Sequence, residues 1–180
     1  FQVIAQDLSF YGLDNYKRLA LPELIKRLSD IKGVEWLRLH YAYPTQFPYE
    51  ILDVIKEREN VCNYLDLALQ HSSDHMLKLM RRGITYDQTV QLLSEIRNAV
   101  PDICLRTTLM VGHPDETEED FQHLINFVRE QKFERMGAFM YSNEEGTYAD
   151  KHYEDNVPEE VKRERLDTLM SIQQGISWDC

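Results

Sequence analysis

Residues 103–116, ICLRTTLMVGHPDE, decide the fold, because they read as a buried strand that stops at a glycine and hands over to a helix. In an extended chain Leu105, Thr107, Leu109 and Val111 share one face, and Cys104, Arg106, Thr108, Met110 and Gly112 share the other. The first face is mostly apolar; the second carries a guanidinium and a hydroxyl. Gly112 admits backbone conformations closed to other residues, or the close approach of a ligand, and Pro114 bars a regular ladder beyond it. Residues 115–120 form an acidic first turn with Thr117 as N-cap. The periodic run Phe121, Leu124, Ile125 and Val128 then predicts a helix to about Gln131.

The same alternation recurs on both sides of this stretch. Residues 1–5, FQVIA, read as a buried strand with no leading cap or loop, so a segment preceding the chain is expected. A polar loop follows, then a helix over about 21–31 with Pro22 in its first turn and Gly33 as its stop. Residues 35–43 give a second strand, with Leu37, Leu39 and Tyr41 on one face and Trp36, Arg38, His40 and Ala42 on the other. A helix is expected near 48–58. A third strand over 64–70 sets Leu65, Leu67 and Leu69 against Asp66, Ala68 and Gln70. Ser73 is read as the cap of a short helix ending at Gly83, and Thr85 with Gln88 as a capping box for a helix through about Ala99. A fifth strand spans 135–141. The acidic turn YSNEEGT then leads, past Pro158, to a last amphipathic helix to about Ile176 with Val161, Leu166, Leu169 and Ile172 as apolar positions.

Five short strands alternating with helices place the chain in the α/β class, with parallel strands and right-handed crossovers. A flat doubly wound sheet would need both strand faces apolar, whereas three of these strands set polar groups opposite their leucines. That favours a curved, partial TIM-like barrel. Functional loops then sit at the carboxyl ends of the strands: residues 6–12, 43–46, 70–73, 112–116 and 141–147.

Composition narrows the function classes. Twenty Lys and Arg against 31 Asp and Glu give a formal net charge of −11, which disfavours direct nucleic-acid binding and suits a basic partner. The three cysteines, Cys62, Cys104 and Cys180, form no CxxC or CxxxCxxC group, so no metal site built by this chain alone is expected. No apolar run approaches the ~20 residues that span a bilayer, and the chain reads as cytoplasmic. Dinucleotide, Walker and nucleophile-elbow signatures are absent from the sequence.

Arg38, His40, Asp66, Gln70, Arg106 and Thr108 are the candidate site by alternation. They line the concave interior if the leucine faces pack on helices, and a polar ligand or an internal Arg–Asp network would compensate them. His71 and His113 follow strands without a neighbouring metal-ligand partner and read as loop hydrogen-bonders. Glu144 and Glu145 read as an acid/base pair or as solvated carboxylates.

YAYPT, LALQHSSDHMLKLMRRG, RTTLMVGHPDETEEDF and YSNEEGT, in this order and spacing, resemble the radical S-adenosylmethionine (SAM) methylthiotransferases, most closely the RimO type. That type modifies an aspartate of the twelfth small-subunit ribosomal protein. The sibling MiaB type, which acts on a tRNA adenosine, differs at Tyr43-Pro44-Thr45, at Gln70-His71-Ser72 and at Glu144-Glu145-Gly146-Thr147. His113 and Asp115 depart from the family's usual Phe and Gly, and Ala68 from a common Pro.

The resemblance implies five of about six strands of a radical SAM partial barrel over residues 1–155, lacking the first strand and its CxxxCxxC cluster loop. Residues 156–180 would be a helix leading towards a TRAM domain. It implies SAM and 4Fe-4S clusters as cofactors, hydrogen abstraction by a 5′-deoxyadenosyl radical followed by sulfur insertion, and a small-subunit ribosomal protein as partner. Gln6 and Asp7 would lie near the SAM amino group and Gln70 near the ribose. Val111, Gly112 and His113 would meet the adenine, and Arg106 and Thr108 the carboxylate. Without the cluster loop the chain by itself would be inactive, or a non-catalytic binding module.

Overall fold

The computed structural model describes residues 1–179. Five strands alternate with helices: β1 (Gln2–Ile4), β2 (Arg38–His40), β3 (Tyr64–Gln70), β4 (Cys104–Val111) and β5 (Arg135–Met140). The helices are α1 (Leu13–Tyr16), α2 (Leu21–Ser29), α3 (Glu50–Glu57), α4 (Asp74–Leu79), α5 (Tyr86–Ala99), α6 (Glu118–Gln131), α7 (Tyr148–His152) and α8 (Glu159–Asp179). A 3-10 turn (Leu8–Phe10) and the one-turn helices α1 and α7 stand where loops were expected. Such short pieces carry too little periodicity to show in sequence.

The chain forms two compact units, and β3 and β4 each pass from one into the other. The first comprises Phe1–Ala68 with Thr89–Arg106; the second comprises Leu69–Gln88 and the chain from Thr107 onward. In the first, β1 pairs with β2 in parallel, Gln2 opposite Arg38 and Ile4 opposite His40. Parallel bridges Leu37–Val61 and Ala42–Leu67 flank β2 on its other side. The remaining sheet has the order β3-β4-β5, so strand neighbours follow chain order throughout.

β4 buries alternate residues as its sequence predicts: Leu105, Thr107, Leu109 and Val111 are buried, and Cys104, Arg106, Thr108 and Met110 half-buried. Each such leucine or valine contributes about 1.5–3 kcal/mol of burial. In the first unit Leu37, Leu39, Leu65 and Leu67 join Ile25, Val54 and Ile96 among the buried side chains. In the second, Leu109, Val111, Leu124, Phe127, Val128, Phe133 and Leu169 are buried.

Three expectations fail. β1 is not a buried strand, since Phe1 and Ile4 are 72% and 58% exposed and only Val3 is half-buried. β2 is shorter than residues 35–43 because Tyr41 takes a left-handed φ of +63°, which ends the strand and turns the ring outward. α8 buries only part of the predicted apolar stripe: Leu169 is buried together with Lys162, Arg165 and Gln173, whereas Val161, Leu166 and Ile172 are half-buried. Polar partners supplied by the second unit override the apolar pattern there.

Candidate functional site

The turn after β4 is densely bonded. Gly112 has a φ of +74°, and a Cβ there would lie 2.3 Å from Lys162 Cγ, so glycine is required both by the backbone and by the approach of α8. Its N–H donates to Glu116 Oε2 at 2.9 Å. Glu116 Oε1 accepts from Arg165 Nη1 at 2.7 Å, and the same guanidinium reaches the Glu116 carbonyl at 3.1 Å. Glu116 was expected in the acidic first turn of α6, but it turns inward and its side chain is fully buried. Thr117 does cap α6: its Oγ1 accepts the Asp120 N–H and the Asp120 carboxylate accepts the Thr117 N–H, a reciprocal capping box.

Asp120 also draws in the end of β3. Ser73 occupies the N-cap of α4, yet its hydroxyl donates to Asp120 Oδ1 and makes no cap bond. His75 adds a contact to Asp120 Oδ2 at 2.9 Å. Burial pushes the Asp120 carboxyl up, but bonds from Ser73, Thr117 and His75 outweigh it and hold the group well below the usual carboxylate range.

Both histidines of interest are hydrogen-bonders. His71 is buried; its Nδ1 accepts the Ser73 N–H at 3.0 Å, which leaves the proton of the neutral ring on Nε2, 3.6 Å from Glu116 Oε2. His113 Nδ1 donates to the Pro114 carbonyl at 2.9 Å, and its ring stands edge-on to Tyr141 and Tyr153. Burial pushes the His113 pKa below the ordinary histidine value and keeps the ring neutral.

A cavity of about 570 Å³ opens in this unit, lined by Gln70, Met110, His113, Phe139, Tyr141 and Tyr148 among others. Gln70 ends β3 at a φ of +70°, and its Oε1 is buried without a hydrogen-bond partner. An unsatisfied buried acceptor on a residue that lines a largely apolar cavity is a mark of a ligand pocket. Of the expected site residues, the second unit brings Gln70 and His113 to this cavity, while Val111 is buried at the end of β4, Gly112 is held by Glu116, and Thr108 is half-buried on β4. Glu144 also lines the cavity and Glu145 is exposed.

In the first unit Gln6 is exposed, while Asp7 caps the following turn. Asp7 Oδ1 accepts from Ser9 N–H at 2.9 Å and Tyr43 N–H at 3.3 Å, tying the loops after β1 and β2. Arg106 Nη1 donates to Asp66 Oδ2 at 2.8 Å and His40 Nδ1 lies 3.4 Å from the same oxygen. The internal Arg–Asp network is therefore present, and Asp66 Oδ1 remains buried without a partner. Arg38 stacks over Tyr64 at 4.8 Å.

Sequence reasoning missed Glu116, Lys162 and Arg165. A signal existed in α8, where Lys162, Arg165, Leu169 and Gln173 recur at helical spacing, but a polar stripe reads as a solvated face until its partners are known. Among the described residues no group of His, Cys, Asp and Glu is arranged to hold a metal ion, and no helix is long and apolar enough to cross a membrane. Cys180 lies outside the described residues.

The chain is 66% identical over 179 residues, 99% of its length, to the ribosomal protein uS12 methylthiotransferase RimO of Parabacteroides distasonis. It is 63% identical over 177 residues, 98% of its length, to the protein of the same name from Bacteroides thetaiotaomicron. It spans 41% of the length of either relative. Among solved structures, the radical SAM enzyme coproporphyrinogen III oxidase (HemN) of Escherichia coli superposes with a TM-score of 0.66 at 19% identity, over 86% of this chain and 36% of that one; this likeness speaks to the fold. The family model for the radical SAM superfamily matches residues 5–128, well over half the chain and including β2 to β4, the Gln70 turn and the Gly112 loop, so the chain belongs to the radical SAM superfamily.

Proposed function

We propose that this chain is the core of a RimO-type methylthiotransferase, a cytoplasmic enzyme that adds a methylthio group to an aspartate of the small-subunit ribosomal protein uS12. The observation that carries this reading is the 66% identity to a uS12 methylthiotransferase along 99% of the chain. The curved, partial-barrel arrangement over residues 1–155, with 156–180 leading onward, belongs to the same proposal, and strand neighbours in chain order support it.

The second unit fits SAM. A cavity of about 570 Å³ lies within the range of small-ligand pockets, and the unsatisfied Gln70 Oε1 on its lining would accept a hydroxyl of the ribose. Val111, Gly112 and His113 would meet the adenine, held in place by the Glu116 bond to Gly112, and Thr108 would help hold the carboxylate. In the first unit, Gln6 and Asp7 would face the amino group and Arg106 the carboxylate. The described residues do not fit an iron-sulfur cluster, because their free cysteines are Cys62 and Cys104 only. One SAM, when bound and reductively cleaved, would supply hydrogen abstraction from an unreactive carbon, and a second SAM would supply the methyl group of the product. The chain's own residues orient the first SAM and keep water away.

The test is a chimera in which this chain replaces the matching segment of the intact P. distasonis relative, reconstituted anaerobically and incubated with uS12. A mass gain of one methylthio group on uS12 is the expected result. An unmodified uS12, with the parent enzyme active in parallel, overturns the reading, and modification of tRNA instead would move the chain to the MiaB type. In the same chimera Arg106→Ala should weaken SAM binding; unchanged affinity removes Arg106 from the site.

A further inference from the structure

We propose that Arg81 is a specificity residue that takes the carboxylate of the target protein's acidic side chain at the mouth of the second unit's cavity; this rests on the methylthiotransferase reading above. α4 ends at its C-cap Met80, and the next residue, Arg81, has a φ of +56°. That position after a helix favours glycine, and a long side chain kept there stands in a costly backbone conformation.

The side chain is held, but not neutralised. Its guanidinium lies 4.5 Å over the ring of Tyr148. Tyr148 stacks in turn on His152, with ring centroids 3.8 Å apart and planes 11° from parallel. Thr147 caps α7 through the Asp150 N–H at 3.2 Å, which fixes Tyr148 at the start of that helix. Among the described residues Arg81 makes no ion pair and no side-chain hydrogen bond. Stacking occupies the face of a guanidinium and leaves its N–H edge available, the geometry that pairs a carboxylate in two bonds.

Location selects the partner. Arg81 is exposed and Tyr148 is 43% exposed, so the pair stands at the open rim, where a polypeptide side chain arrives; Gln70 and His113 line the same cavity with far more of their surface covered. Leu79, Met80, Met110 and Phe139 supply the apolar wall along which the methylene of an acidic side chain would pass. Glu144 is the carboxylate on the lining, and it accepts from the Ser142 hydroxyl at 3.1 Å. It would repel an incoming acid that Arg81 did not hold.

The experiment uses the reconstituted chimera and a fluorescent peptide of uS12 spanning the target aspartate, read by anisotropy, beside the same peptide with asparagine at that position. The intact protein should prefer the aspartate peptide by about tenfold or more, as a charge-assisted bidentate pair does. Arg81→Ala should abolish that preference, and Arg81→Lys should restore part of it. An aspartate preference undiminished in Arg81→Ala overturns the assignment while leaving the methylthiotransferase reading intact. So does loss of S-adenosylhomocysteine binding in Arg81→Ala with peptide preference unchanged, which would give Arg81 to the cofactor's carboxylate. A chimera that binds neither peptide, beside a parent enzyme that does, overturns both readings.

Discussion

Asp66 in the first unit and Glu116 in the second are buried carboxylates with an arginine beside them, Arg106 at 2.8 Å and Arg165 at 2.7 Å, yet their remaining oxygens fare differently. Glu116 spends both: Oε1 on Arg165, Oε2 on the Gly112 N–H. Asp66 gathers Arg106 and His40 onto Oδ2 and leaves Oδ1 buried without a partner. Their arginines differ as well, since the Arg106 side chain is 32% exposed and that of Arg165 only 8%. A buried carboxylate with both oxygens bonded locks backbone in place, whereas one with an oxygen left over keeps accepting capacity in reserve. The first pattern is that of a clamp, and the second leaves an acceptor unspent.

The comparison breaks most directly at Glu116. Glu116→Ala strands the buried Arg165 charge and the Gly112 N–H together and should cost about 3–5 kcal/mol in urea unfolding. A loss under about 1 kcal/mol would show that the clamp is not structural. Next in size is Gly112→Ala, which forces a Cβ into Lys162 and should cost about 1–3 kcal/mol. Gly146→Ala, at a similar φ of +83° but with nothing within 4 Å, should cost about 1 kcal/mol, so the difference between the two reports the crowding alone.

Asp66→Asn should cost only about 1–2 kcal/mol, because the partly exposed Arg106 can rehydrate. Equal losses for Asp66→Asn and Glu116→Ala would erase the distinction between the two carboxylates. The smallest effect concerns pH. Burial lowers the His113 pKa, so the unfolded chain takes up the proton first, and stability should fall as pH drops through about 6.5 and continue to fall until the folded ring protonates. Denaturation midpoints from about pH 8 to 5.5 should decline less steeply in His113→Phe than in the parent; identical slopes would remove His113 from the linkage.

Much of the scaffold was legible because it is local. The alternation in β4, the N-cap at Thr117, the capping box at Thr85–Gln88, and the bounds of β3 depend on residues within a few positions of each other. Strand patterning also singled out Asp66 and Arg106 as inward polar groups, and their ion pair bears that out. The exposed β1 was misjudged because an apolar pentapeptide has the same pattern whether or not anything covers it.

The sequence by itself determined the alternation of strand and helix, the polar residues on the strand faces and the glycine at the turn after β4, since side-chain period, capping and backbone freedom are properties of neighbours along the chain. Only the tertiary structure decided that Glu116 turns inward, that α8 buries Lys162 and Arg165, and that Arg81 stacks on Tyr148. Each of these pairs residues separated by 49 positions or more, from Lys162 beside Gly112 and Arg165 on Glu116 to Arg81 on Tyr148. A charged side chain reads the same in sequence whether its partner is water or a distant residue, because burial of charge is settled by what the fold brings within about 4 Å.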